Sequence, residues 1–92
     1  MRTRRIRLII SGKVQGVFFR VSLRDQARGL GISGWARNNP DGTVEALIEG
    51  ESGKIDQIIN WCWNGPPDAI VENISKREDT TDLNVSSFEI ID

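Results

Sequence analysis

Gly12-Lys13-Val14-Gln15-Gly16-Val17-Phe18-Phe19-Arg20 joins an alternating segment, Ile6 to Gly12, to a segment of helical periodicity, Phe19 to Leu30. A loop that enters a helix aims several unpaired backbone N–H groups in one direction, and the helix end adds partial positive charge, so the junction suits an anion. Gly12 and Gly16 open backbone conformations that a side chain obstructs, and Arg20 adds a planar fork of donors in the first helical turn. The stretch is not a Walker loop, because no second glycine stands four residues ahead of Gly12-Lys13 and no Ser or Thr follows the lysine. A plain connecting loop with incidental glycines is the other reading open to these residues.

Outward from the loop, Ile6, Leu8 and Ile10 alternate with Arg5 and Arg7, the pattern of a half-buried first strand. Phe19, Leu23, Ala27 and Leu30 recur at helical spacing until Gly29 and Gly31 end the run. Ile32 to Asn38 reads as a second strand, Asn39-Pro40-Asp41-Gly42 as a turn, and Thr43 to Glu49 as the returning strand of a hairpin. Along that third strand Val44, Ala46 and Ile48 share one side and Glu45 and Glu49 the other, which predicts a sheet with one wet face. Ser52 is the expected N-cap of a second amphipathic helix, whose apolar stripe is Ile55, Ile58, Ile59, Cys62 and Trp63, with Trp61 off the stripe. Asn64-Gly65-Pro66-Pro67 stops it. Ala69 to Lys76 reads as a weaker strand, Glu78 to Asn84 as a polar loop, and Ser86 to Ile91 as a short last strand. Strand, helix, strand, strand, helix, strand is the split βαβ order of an α+β, ferredoxin-like sandwich, with two helices on one face of a mainly antiparallel sheet of four to five strands.

Ninety-two residues suffice for one domain, spanning 1–92, and leave no room for a second. No stretch has the length and hydropathy of a signal peptide or a membrane span, so a cytoplasmic protein without membrane contact is expected. Cys62 is the only cysteine and there is no histidine, which removes an internal disulfide and nearly all transition-metal ligands. No metal site is expected. Cys62 falls on an apolar stripe and reads as a buried, inert thiol. The sequons Asn73-Ile74-Ser75 and Asn84-Val85-Ser86 carry no weight without secretion. Charge is segregated: residues 1–37 hold nine Lys and Arg against one acidic residue, and residues 38–92 hold three against twelve. A basic part beside an anion cradle would concentrate an anionic substrate, unless strands from both parts interleave and cancel the field.

Gly12-x-Val14-Gln15-Gly16-Val17-x-Phe19-Arg20 resembles the first signature of the acylphosphatase family at each fixed position. Gly34-Trp35-Ala36-Arg37-Asn38, followed by Gly42-Thr43-Val44 and Gly50, resembles the second. Gly65-Pro66-Pro67-x-Ala69 and Phe88-Glu89-Ile90 are similar to its later landmarks, so the resemblance spans nearly the whole chain. It implies the ferredoxin-like fold, hydrolysis of a small acyl phosphate to carboxylate and phosphate, and no cofactor. On this resemblance the catalytic residues are Arg20 and Asn38, with Asn38 positioning the attacking water. The phosphate would rest on Arg20 and on the backbone of Gln15, Gly16, Val17, Phe18 and Phe19. Turn chemistry alone gives Asn38 only the role of a hairpin residue. Lys13 either assists electrostatically or is a solvated strand-end lysine. One departure is visible: Ile90-Ile91-Asp92 lacks the basic residue that often closes such chains.

An acyl phosphate expels a carboxylate whose conjugate acid has a pKa of roughly 4, and such a leaving group needs no protonation. The absence of histidine therefore agrees with this chemistry. A phosphate ester expels an alkoxide, and a phosphoanhydride usually recruits a divalent metal. Two other classes stand beside the enzyme. One is a non-catalytic module that binds a phosphorylated metabolite, which would need the cradle but not a water-positioning amide. The other is a nucleic-acid binder, against which the chain has no tyrosine and no strand with the basic-aromatic pattern that stacks bases. A monomer that takes a small molecule and no nucleic acid is expected.

Overall fold

The computed structural model describes residues 2–81 and 85–92. The elements run β1 (Thr3–Lys13), α1 (Phe19–Gly29), β2 (Ser33–Asn38), β3 (Val44–Glu51), α2 (Ser52–Asn64), β4 (Ile70–Glu78) and β5 (Phe88–Ile90). They form one five-stranded sheet in the order β4-β1-β3-β2-β5, antiparallel except for the β2–β5 pair. The ferredoxin-like arrangement is thus the one its element order predicts. The expected polar loop lies partly outside the described residues, since 82–84 are not among them, and so does Asn84 of the second sequon.

Register explains the core. Ile6, Leu8 and Ile10 stand opposite Ile48, Ala46 and Val44, so their alternation lines up one apolar face across the two central strands. Phe19, Leu23 and Ala27 of α1 and Ile55, Ile58, Ile59 and Cys62 of α2 close over that face, together with Phe88 from β5. Burial of this kind is worth about 1.5–3 kcal/mol for each large side chain relative to exposure. Burial also pushes the Cys62 thiol up to about 12, as expected of an inert core thiol.

Two details of α2 correct the sequence reading. Its N-cap is Glu51, whose carboxylate accepts from the N–H groups of Gly53 at 2.9 Å and Lys54 at 3.3 Å, and Ser52 is already the first helical residue. The tryptophans exchange places: Trp61 packs against the core with its ring centroid 5.6 Å from that of Phe19, whereas Trp63 is 47% exposed. Both flank Cys62, and the contact with α1 decides which turns inward.

The opposite face of the sheet is less wet than alternation predicts. Leu47 is fully buried there and Glu45 is only 8% exposed. Trp35 lies between the guanidinium groups of Arg7 and Arg37, 5.5 and 5.4 Å from its ring centroid, and both arginines also bind Glu45. Arg7 donates to Asp79 at 2.7 Å and Arg5 to Glu49 at 2.7 Å. These pairs join the basic first part of the chain to its acidic remainder. Folding therefore interleaves the basic and acidic parts of the chain, the alternative in which paired charges offset the segregation seen along the sequence.

Candidate active site

The loop leaves β1 at Lys13, whose side chain is exposed and stands outside the cavity described below. Gly12 serves the strand and not the cradle. It sits at a bulge in the β1–β4 pairing with φ 125°, and a Cβ there would lie 2.1 Å from the Ile70 carbonyl oxygen. Gly16 has φ 75° and nothing within 4 Å of where a Cβ would be, so its backbone conformation alone selects glycine. Phe18 is also left-handed, at φ 65° and ψ 25°. Left-handed residues on both sides of Val17 give the type of turn that points successive N–H groups into one concavity. None of the N–H groups from Gln15 to Phe19 donates a hydrogen bond to another described residue. Phe18 is the N-cap of α1 and supplies no side-chain acceptor, so the first donors of the helix are also uncapped.

Side chains fix this backbone in place. Val14 and Val17 are buried in the core and anchor the loop. Gln15 turns away from the concavity, and its Nε2 donates to the carbonyl oxygens of Asn39 at 2.8 Å and Thr43 at 3.0 Å. That tie holds the loop against the β2–β3 turn and sets it beside Asn38, the last residue of β2. A cavity of about 340 Å³ results, lined by Val14, Gly16, Phe18, Phe19, Arg20, Val21 and Asn38. Arg20 and Asn38 therefore meet there, although they come from different elements. Gln15 and Val17 belong to the same loop but are not among the residues that line the cavity. Asn38 Oδ1 is buried and accepts no hydrogen bond from any described residue, an exception to the rule that buried polar atoms are paired.

Asp92 is the residue that the sequence reading missed. Its carboxylate accepts from Arg20 Nη1, and its other oxygen accepts the Asn38 N–H at 3.0 Å. Desolvation opposes ionisation of this carboxyl, but the Asn38 and Arg20 hydrogen bonds and the Arg20 charge together hold it below the usual range. A signal for it exists in the register. β2 and β5 pair in parallel with Ala36 opposite Ile90, and two further residues along each strand bring 92 level with 38. A second cavity, on the outer face, is lined by Arg7, Ile9, Glu45, Ser75, Lys76 and Arg77. Its Arg7 and Glu45 are already paired with each other.

A family model for acylphosphatase matches residues 6–90. An acylphosphatase of Rubrobacter xylanophilus is 50% identical over 88 residues, which is 96% of this chain and 80% of that protein. Among solved structures, an acylphosphatase from Coxiella burnetii superposes with a TM-score of 0.91 at 39% identity, covering 97% of this chain and 93% of that one. An acylphosphatase from Bacillus subtilis gives 0.90 at 32% identity, covering 98% and 99%. The fold and the two signatures define a small phosphohydrolase. The chain belongs to the acylphosphatase family, and its activity is that of an acylphosphatase.

Proposed function

We propose that the chain hydrolyses small acyl phosphates without a metal, with Arg20 and the Gln15–Phe19 backbone holding the phosphate and Asn38 holding the water. The observation that carries this reading is the meeting of Arg20 and Asn38 at one cavity that Gly16, Phe18 and Phe19, whose N–H groups are uncommitted, also line. The phosphate takes over from Asp92 on the Arg20 fork, and the loop donors face its equatorial oxygens as negative charge spreads over them. The unpaired Asn38 Oδ1 accepts from the attacking water and turns a lone pair toward phosphorus. Water oxygen bonds to phosphorus while the bond to the acyl oxygen breaks, and that electron pair leaves with the carboxylate. The water proton passes to a phosphate oxygen, so the products are a carboxylate and dihydrogen phosphate. No group on the protein needs to donate a proton, because the leaving carboxylate is a weak base.

In this reading the chain works as one domain over 1–92 and as a cytoplasmic monomer with a small-molecule substrate and no nucleic acid. In support, outside the cavity rim the exposed large apolar residues Trp63, Ile70 and Ile91 lie in separate parts of the chain, and no helix among the described residues is long and apolar enough to cross a membrane. The test is release of benzoate from benzoyl phosphate in buffer with a chelator, on wild type and Arg20→Ala together. Fast wild-type hydrolysis lost in the variant is expected. A requirement for added magnesium would overturn the metal-free step.

A further inference from the structure

Phe18 breaks three local rules at once. It is the only non-glycine residue with positive φ among the described residues, and a left-handed conformation is disfavoured for a side chain of this size. It occupies an N-cap position, where Ser, Thr, Asp and Asn are preferred because they can accept from the helix. The residue is 78% exposed, although a phenylalanine gains from leaving water. The left-handed backbone is accounted for by the loop, which needs that turn to aim its N–H groups. The ring is not accounted for, since a glycine would make the same turn with less strain. Costs gathered at one residue point to a use for the side chain.

Position supplies that use. Phe18 and Val21 stand three residues apart at the start of α1, so they are neighbours on one helix flank. Both line the cavity that holds Arg20 and Asn38, and Val21 is 40% exposed. Once the phosphate is seated on the loop and Arg20, the remainder of an acyl phosphate must leave the cavity through its opening. There it meets an apolar rim and not bulk water alone.

We infer that Phe18 and Val21 receive the acyl group of the substrate, so that the enzyme selects acyl phosphates with a large apolar, above all aromatic, acyl group over small ones. The inference rests on the reading of Arg20 and the loop as the phosphate seat. An aryl ring against Phe18 gains area burial and an aromatic contact, whereas an acetyl group is too short to cover the rim.

The experiment measures kcat/KM for benzoyl phosphate and for acetyl phosphate on wild type, Phe18→Gly, Phe18→Leu and Val21→Ser. Intrinsic reactivities of the two substrates differ, but that difference cancels when the benzoyl-to-acetyl ratio is compared between variants. The ratio is expected to fall about tenfold in Phe18→Gly and by less in Phe18→Leu, which keeps an apolar body without the ring. It is expected to fall about threefold in Val21→Ser, whose backbone lies outside the Gln15–Phe19 donor run. If the Phe18 variants lose both activities, the Val21→Ser ratio decides alone. An unchanged ratio in every active variant overturns the inference while leaving the phosphate seat intact. Failure of wild type to hydrolyse either substrate would instead remove the seat itself.

Discussion

The carboxylate of Asp92 bridges Arg20 and the Asn38 N–H, and so engages with one group the two residues to which we assign the phosphate and the water. An internal carboxylate on this pair competes with a substrate phosphate for the same donors. The contact is partly exposed, with side chains 32% and 29% accessible, and a pair of that kind is worth up to about 1 kcal/mol. Asp92→Asn is therefore expected to tighten competitive inhibition by inorganic phosphate by up to about fivefold. Weaker inhibition would mean that Asp92 holds Arg20 in its productive pose.

The same contact has a pH signature. The Asp92 carboxyl is held below its ordinary value in the folded chain, so its stabilising effect is present above about 3.9 and is lost as pH falls through the depressed value. Thermal midpoints of wild type and Asp92→Asn should differ near neutrality and converge in strong acid. A difference that persists in strong acid would assign the effect to something other than this charge.

Arg20→Lys keeps the positive charge but loses the planar fork. Turnover is expected to fall by about two orders of magnitude and phosphate inhibition to weaken markedly. Near wild-type values for both would place the phosphate elsewhere.

Asn38→Ala should separate turnover from binding. A water without its acceptor costs about 100-fold in kcat, while the Arg20 and loop donors still hold phosphate. Because the substitution deletes a buried, unpaired oxygen, the unfolding midpoint should not drop. Loss of phosphate binding equal to the loss of turnover would count against water positioning.

Gln15→Ala removes both bonds between the loop and the β2–β3 turn. The Asn39 and Thr43 carbonyls each lose one donor but keep a backbone N–H, that of Gly42 and that of Asn39, so the cost in denaturant unfolding is about 0.5–1.5 kcal/mol for each lost bond. Turnover should fall too, because Asn38 is no longer held beside the loop. Unfolding unchanged with turnover reduced would show that the tie aligns the site without supporting the fold.

On the outer face, Glu45 joins Arg7 and Arg37. Desolvation opposes its ionisation, but those two hydrogen bonds prevail and hold its carboxyl below the ordinary range. Glu45→Gln should lower stability by about 2 kcal/mol at neutral pH and by progressively less in acid. Turnover should be unaffected, since this face is across the sheet from the helices.

What could be read in the sequence was what short-range pattern determines. Alternation at Ile6, Leu8 and Ile10 and helical spacing at Phe19, Leu23 and Ala27 lie within single elements, and the structure keeps both. Arg20 and Asn38 were legible through signature spacing and meet at one cavity. Three things were not legible, and each is a relation between elements. Trp61 rather than Trp63 turns inward because of Phe19 on the other helix. The charge segregation is partly offset because β1 lies between β3 and β4, so that Glu45, Glu49, Glu78 and Asp79 meet its arginines. Asp92 reaches Arg20 only through the parallel β2–β5 register.

Cys62 has a practical consequence. Its thiol is buried beneath α2 and resists ionisation, so a thiol reagent cannot react with it while the sheet and helices stay closed. Labelling at this single site then clocks global opening of the native chain, with no probe to introduce and no overlap with the loop chemistry. Running that clock with and without bound phosphate would measure how far occupancy of the cradle slows unfolding, with the natural sequence as its own sensor.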